Sequence, residues 1–222
     1  PAGALAAGTA AAQAAPAAST LAAAPASSAR VALPADIRWI TNEEDPPIGS
    51  AEALRGSTLN ESMGSYPLTF RLMGPNSNDA FAGWNRLFTM NFGLVQRHPV
   101  TDRFIPLMAT HWAVMDDQRT LYFKLDRDAR FSDGQPVTAR DFVFAWRTAV
   151  DPKTASEYAF ILYPVKNAEA IASGGLPTSA LGVRARDDRT LEVEFERPTG
   201  HFLALTAFAT YLPVRQDFYE AR

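Results

Sequence analysis

Apolar and polar residues alternate with a period of two in two separate segments, Thr120–Leu125 and Thr190–Glu196. Each segment follows another short run, Trp112–Val114 or Gly182–Arg186, across a turn that contains two adjacent aspartates. Successive side chains of a strand point to opposite faces, so this period is typical of a sheet with one buried face. The pattern predicts two similar β-hairpins. Their shared apolar positions are Leu121, Phe123, Leu125, Leu191, Val193 and Phe195.

The polar positions of the second hairpin carry a row of carboxylates, Glu192, Glu194 and Glu196. Such a row could hold a divalent cation, because hard cations prefer oxygen ligands. Strand alternation instead places all three carboxylates away from the apolar residues, and we predict a solvated face. We interpret the paired aspartates of the two turns as turn formers, since water around a hairpin tip leaves nothing to raise their pKa for acid–base work.

A turn followed by a helix start is predicted within residues 129–147, ARFSDGQPVTARDFVFAWR. The SDG triplet forms the turn, because Asp can bond its own backbone and Gly can take positive φ. Thr138 is the predicted N-cap, and Asp141 completes a capping box. Phe142 and Trp146 then share an apolar stripe, and the following Asp-Pro pair ends the helix. We interpret the whole stretch as scaffold.

The part of the chain that precedes the hairpins mixes both kinds of pattern. Thr69–Leu72 alternates like a strand, and Gly74–Asn78 breaks it with loop-forming residues. Phe81–Leu94 carries aromatic residues mostly three or four positions apart, which predicts a helix whose aromatic face packs in a core. Strands and helices together indicate an α/β or α+β fold.

The N-terminal segment differs in composition, since about half of residues 1–35 are alanine and most of the others are Pro, Ser, Gly or Thr. These residues have little bulk to bury, and Pro and Gly interrupt helix, so we predict a flexible segment. Ala12-Gln13-Ala14 has the form of a signal-peptidase site, so residues 1–14 suit the tail of an export signal and a plain linker equally well. No apolar run of about 18 residues follows, so no membrane span is predicted.

Charge and motif content exclude several function classes. The net charge is −3 without a Lys/Arg cluster, which argues against a nucleic-acid partner. The chain has no cysteine and lacks the nucleophile-elbow, phosphate-loop and dinucleotide motifs. His98, His111 and His201 have no partner at metal-binding spacing, and we interpret each as an ordinary polar or capping residue. We therefore predict a protein that is not an enzyme and holds no metal or cofactor.

Residues 129–147 closely resemble a motif of the family 5 extracellular solute-binding proteins, the substrate receptors of ABC peptide importers. The likeness covers about Trp39 to Arg222 and is most specific from Ala109 to Tyr158. The segment VDPKTASEYA at residues 150–159 looks most like the oligopeptide-binding branch. The segment LTFRLMGPNSN at residues 68–78 looks like a related proteobacterial branch, which leaves the ligand open.

This resemblance implies an α/β fold of the periplasmic-binding-protein type, the three-domain form of the class II Venus flytrap. Two hinged lobes close around the ligand, and one lobe carries an extra domain. Family members are more than twice as long as this chain, so we expect an N-terminal portion without the second lobe. Residues 1–35 would be a signal-peptide remnant or linker, 36–84 the first part of the hinged lobe, 85–214 the extra domain and 215–222 the return to the hinged lobe.

A general peptide receptor has to pair with the backbone of its ligand and leave room, often filled by water, for the side chains. In the branch that this chain resembles, the ligand lies along a segment matching Gly74–Asp79, and a tyrosine matching Tyr158 faces the cleft. The implied ligand-binding residues are Gly74, Asn76, Ser77, Asn78, Asp79 and Tyr158. Packing remains the alternative for Tyr158, and loop structure for Asn76–Asn78. The family's groups that hold the peptide termini belong to the second lobe.

The resemblance implies a non-catalytic function. The chain would be the substrate-binding component of an ABC transporter, a monomer that captures oligopeptides in the periplasm and delivers them to membrane permease subunits. One alternative keeps the fold but changes the ligand to a dipeptide, a glycan, haem or a nickel complex. Another places the same module in a sensor, a regulatory protein or a hydrolase.

Overall fold

The computed structural model describes residues 33–50, 52–54, 56, 58, 60, 62–70, 76, 79–83 and 92–221. Within these residues the strands are β1 Val95–Arg97, β2 Phe104–Pro106, β3 Ala109–Val114, β4 Thr120–Leu125, β5 Val183–Ala185 and β6 Thr190–Glu194. The helices are α1 Ala139–Val150, α2 Ala168–Ala172, α3 Phe202–Leu205 and α4 Gln216–Glu220. Short 3-10 helices span Ala159–Leu162, Thr178–Ala180 and Ala209–Tyr211, and residues 80–83 are also helical.

The two predicted hairpins are confirmed, and they lie side by side in one antiparallel sheet with the order β3-β4-β6-β5. The central pair brings the apolar positions of both hairpins into register, with Leu121 opposite Val193 and Phe123 opposite Leu191. All four of these side chains are buried. Cross-strand apolar pairs on one face stabilise a sheet, so the alternation of each hairpin also determines how the two hairpins join.

The paired aspartates act in the two hairpin turns as predicted. The Asp117 carboxylate accepts the backbone N–H of Arg119 at 2.8 Å and the Thr120 hydroxyl at 2.9 Å. The Asp187 carboxylate accepts a backbone N–H at 2.7 Å and the Thr190 hydroxyl at 3.0 Å. Asp117 and Asp187 therefore stabilise their turns in the same way, because a short Asp side chain can accept a hydrogen bond from the backbone N–H two residues later.

Helix α1 covers the apolar face of the sheet through β5 and β6. Phe142 and Trp146 are fully buried, as the sequence predicts. The indole Nε1–H of Trp146 donates to the carbonyl of Tyr211 at 3.0 Å, and the two rings meet edge to face at 5.1 Å. The predicted capping box is present, and the Asp141 carboxylate accepts both the backbone N–H and the hydroxyl of Thr138 at 2.7 Å.

The SDG turn has a second role that its local sequence does not reveal. The Asp133 carboxylate forms an ion pair with Arg215, which lies just before α4. The Arg215 guanidinium also lies 5.8 Å from the centre of the Phe131 ring. The turn therefore attaches the C-terminal helix to the start of the stretch that contains α1.

The prediction of a solvated carboxylate row is wrong for Glu192, which is only 2% exposed. Strand β6 is an inner strand, so Glu192 lies between Tyr122 of β4 and Arg184 of β5. Its carboxylate forms ion pairs with Arg184 at 2.9 Å and with Arg186. The long arginine side chains cover the carboxylate as they neutralise it.

Burial beside Glu192 shifts the pKa values of the polar side chains around it. Burial, together with the neighbouring Glu192, raises the pKa of Tyr122 to about 12. The hydrogen bond that Arg186 donates to Glu192 raises the pKa of Arg186. Glu194 is half-buried beside Arg184 and Lys166, whereas Glu196 is exposed as predicted.

The prediction of a helix over Phe81–Leu94 is wrong at its C-terminal end. Residues 81–83 are helical, residues 84–91 lie outside the described residues, and the chain is not helical from Phe92 to Leu94. A Cβ on Gly93 would lie 2.6 Å from the carbonyl oxygen of Thr206, so this close approach requires glycine. The Leu94 carbonyl then accepts the N–H of Ala109 at 2.8 Å, which connects the segment to the first residue of β3. The strand predicted over Thr69–Leu72 is wrong at its start, because residues 69–70 are not in a strand; residues 71–72 lie outside the described residues.

We expect Thr138→Ala to lower the free energy of unfolding by about 1 kcal/mol, because α1 loses its N-cap side chain. Urea denaturation followed by circular dichroism measures this change. Thr154→Ala is the matched control, since Thr154 is exposed outside α1 and its replacement should leave the midpoint unchanged. Equal midpoints for wild type and Thr138→Ala would show that the cap contributes nothing.

We expect Glu192→Ala to lower the free energy of unfolding by about 3 kcal/mol, because it leaves Arg186 half-buried without its carboxylate. The same denaturation experiment measures the loss. Glu157→Ala removes an exposed carboxylate and should change stability by less than about 0.5 kcal/mol. A loss at position 192 no larger than at position 157 would contradict a structural role for this ion pair.

Candidate functional site

Tyr158 is the predicted ligand residue that the structure describes most fully. It precedes the 3-10 helix Ala159–Leu162, and the residue is 37% exposed. Its ring lies 5.6 Å from the ring of Phe208 and 6.4 Å from the ring of Phe160. We call Tyr158, Phe160 and Phe208 the aromatic cluster.

The aromatic cluster is an exposed apolar surface, since Phe160 and Phe208 are 58% and 42% exposed. Aromatic rings provide a large contact area at a low entropic cost, and the tyrosine adds a hydroxyl that can hydrogen bond. The cluster can therefore contact an apolar group and a polar group of the same ligand. This exposure does not fit packing into the core of the described residues, and packing between domains stays the alternative for Tyr158.

A single buried tyrosine holds the two halves of the aromatic cluster together. The hydroxyl of Tyr211 donates to the carbonyl of Ile161 at 2.7 Å, which joins the 3-10 helices that follow Tyr158 and Phe208. Burial raises the pKa of this hydroxyl, so it remains a donor at neutral pH. Phe208 lies fifty residues after Tyr158, and no pattern in the sequence indicated that the two would meet.

The second predicted group is only partly described, because Gly74, Ser77 and Asn78 lie outside the described residues. Asn76 is exposed and has a φ of 62°, in the left-handed region that asparagine tolerates. Among the described residues, no hydrogen bond or ion pair joins Asn76 or Asp79 to Tyr158. That the two predicted groups form one site stays a prediction.

Asp79 has a local structural role. One of its carboxylate oxygens accepts the backbone N–H groups of Leu68 at 2.8 Å and Thr69 at 3.2 Å. The other accepts the N–H of Ala82 at 3.1 Å, so Asp79 caps the helical residues 80–83. These backbone hydrogen bonds, that of Ala82 foremost, lower the pKa of Asp79.

Two of the three histidines lie at structural positions. His98 is buried, its Nδ1 accepts the backbone N–H groups of Val100 and Thr101, and its Nε2 lies 2.8 Å from the Pro46 carbonyl oxygen. His201 precedes helix α3 as its N-cap residue. Within the described part of the chain, no three His, Asp or Glu side chains are grouped as metal ligands. Among the residues that the structure describes, no helix has both the length and the apolar character needed to cross a bilayer.

A family model describing the middle part of the bacterial extracellular solute-binding proteins, family 5, matches residues 103–221. This match covers more than half of the chain and includes strands β2 to β6 and helix α1. The chain belongs to this family. The resemblance drawn from residues 129–147 is thereby confirmed.

Two curated proteins illustrate the range of names among its relatives. The probable deoxycholate-binding periplasmic protein YgiS of Escherichia coli is 45% identical over 111 residues, which is 49% of this chain and 21% of YgiS. The oligopeptide-binding protein OppA of Bacillus subtilis is 41% identical over 113 residues, 51% of this chain and 21% of OppA. The matched segments thus span about a fifth of the length of these relatives.

Solved structures confirm the fold. The substrate-binding domain of an oligopeptide ABC transporter from Bacillus anthracis superimposes with a TM-score of 0.56 at 46% identity. The superposition covers 58% of this chain and 25% of that one. The chain therefore has the mixed α/β fold of part of a periplasmic oligopeptide-binding protein. The division into domains at residues 35, 84 and 214 remains a prediction.

We expect Asp79→Asn to lower the melting temperature at pH 7, because the three backbone N–H groups lose a charged acceptor. The lowered pKa of Asp79 means that its contribution is complete above the ordinary value of 3.8 and is lost as the pH falls through the folded-state pKa. The difference in melting temperature from wild type should therefore shrink below about pH 4. A difference that stays constant from pH 7 to pH 3 would contradict this role. Asp36→Asn, at an exposed position, is the control.

Proposed function

We propose that this chain is part of the substrate-binding component of an ABC importer and captures oligopeptides in the periplasm for delivery to membrane permease subunits. The observation that carries the proposal is its 46% identity to a structure described as the substrate-binding domain of an oligopeptide ABC transporter. Several further relatives are named as oligopeptide- or dipeptide-binding proteins. We further propose that the protein acts as a monomer and without catalysis.

The aromatic cluster supports this proposal physically. A receptor for peptides of many sequences cannot depend on one side chain of its ligand, so its contacts have to suit the backbone and varied apolar groups. The exposed rings of Tyr158 and Phe208 provide an apolar contact surface that does not require one ligand orientation. The Tyr158 hydroxyl can form a hydrogen bond with a peptide group. We therefore place the peptide against the aromatic cluster and, as the resemblance implies, along residues 74–79.

A second candidate ligand is a steroid acid, because one relative of 45% identity is named as a probable deoxycholate-binding protein. Exposed aromatic rings suit a rigid apolar ring system as well as they suit a peptide. Mass spectrometry of the ligand that copurifies with the complete protein distinguishes the candidates. It would equally detect a glycan, haem or a nickel complex.

We expect Tyr158→Ala in the complete protein to weaken the binding of three unrelated peptides by similar factors of about tenfold. The expected factor corresponds to the loss of one aromatic contact with a hydrogen bond, about 1.4 kcal/mol. Isothermal titration calorimetry measures the three affinities, and a fourth titration uses deoxycholate.

Tyr219→Ala is the matched control for this experiment. Tyr219 is also partly exposed and packs on one aromatic neighbour, Phe144 at 5.6 Å, but it lies on α4 away from the aromatic cluster. Its replacement should leave all three affinities unchanged. A loss confined to one peptide, or no loss at Tyr158, would remove Tyr158 from the site. Binding of deoxycholate without peptide binding would favour the steroid acid.

A further inference from the structure

A cavity of about 460 Å³ lies beside α1, on the part of the molecule that α4 also reaches. Its lining includes the α1 residues Arg140, Val143, Phe144 and Arg147, together with Gln216 of α4. Tyr158 does not line it. Small-molecule sites have volumes of about 300–1,000 Å³ and combine apolar walls with a few polar groups, and this cavity has both properties.

Arg147 is the unusual member of the lining. Its Nε is buried and has no hydrogen-bond acceptor, and it is the one such buried side-chain nitrogen or oxygen among the described residues. Its Nη2 makes a single long contact, 3.4 Å, to the Ser179 carbonyl oxygen. A buried donor without a partner is costly, so the Arg147 guanidinium lies in the lining with fewer hydrogen bonds than an arginine at such a position ordinarily makes.

The neighbouring charges do not neutralise Arg147. Arg184 is close enough to repel it, and burial followed by this repulsion lowers the pKa of Arg147. Arg184 is itself paired with Glu192 and Glu194, and Arg140 is paired with Asp188 at 3.4 Å. Within the described residues, the ion pairs leave Arg147 without a carboxylate.

One negative group does line the cavity. Asp151 follows α1, and its carboxylate accepts the backbone N–H of Lys153 at 2.9 Å rather than pairing with Arg147. The carbonyl groups at the C-terminus of α1 also favour a cation in the last turn, where Arg147 lies. Both features weaken the attraction for an anion of high charge, and a guest with a single negative charge suits the cavity better than a dianion.

We propose that this cavity binds a small organic carboxylate whose two oxygens accept hydrogen bonds from the Arg147 guanidinium. A planar carboxylate matches two parallel N–H donors of an arginine, and such pairs are stronger than neutral hydrogen bonds. The apolar part of the ligand would contact Val143 and Phe144. This site is separate from the aromatic cluster and does not depend on the proposed transport function.

The test is a titration of the isotopically labelled protein with sodium benzoate, sodium acetate and inorganic phosphate, followed by amide NMR shifts at constant ionic strength. We expect saturable shifts at residues 143–148 and at Gln216, with benzoate binding more tightly than acetate because it reaches the apolar wall. Phosphate should bind more weakly than either carboxylate. Shifts that are absent, do not saturate or fall elsewhere would overturn the proposal, as would saturation by phosphate alone.

Two variants and a control test the role of Arg147 itself. Arg147→Gln should weaken benzoate about tenfold or more, since truncating a buried charge partner has effects of this size. Arg147→Lys keeps the charge but removes Nε and the planar fork, and should also weaken binding severalfold. Arg197→Gln removes an exposed arginine outside the lining and should bind like wild type. If Arg147→Gln binds benzoate as wild type does, the proposal is wrong. The wild-type titration decides the question independently if that variant does not fold.

Discussion

The burial of Trp146 organises the described structure. Its indole lies in contact range of the rings of Phe142, Phe202 and Tyr211, all edge to face or nearly so. Its one polar atom donates to the Tyr211 carbonyl, so no hydrogen-bonding group is lost on burial. Because α1 holds this ring against the sheet, the residues after the second hairpin, among them Phe202 and Tyr211, pack on a fixed surface.

The position of the aromatic cluster depends on this core. Tyr211 packs on Trp146 and uses its hydroxyl to hold Ile161, so the segments before and after the second hairpin meet at the molecular surface. Tyr158 and Phe208 are thereby placed side by side, with their ring centres 5.6 Å apart. A change in the core would displace both surface rings at once. Substitutions that destabilise the fold should therefore also alter the geometry of the candidate site.

The opposite face of the sheet is stabilised differently, by charge. Glu192 on an inner strand is enclosed by Arg184, Arg186 and Tyr122, so the sheet has a polar layer as well as an apolar core. Such a buried ion pair contributes little net stability but is costly to break.

The sequence by itself determined the local elements. Period-two alternation identified both hairpins, Thr138 and Asp141 marked the start of α1, and the family motif identified the kind of fold, because each of these signals lies within a few consecutive residues. Only the tertiary structure decided that Glu192 is buried, that the chain at Gly93 is not helical but packs closely on Thr206, and that Phe208 lies beside Tyr158. Those outcomes depend on which strands become neighbours and which backbone segments approach closely, and contacts between residues far apart in the chain leave no periodicity in the sequence.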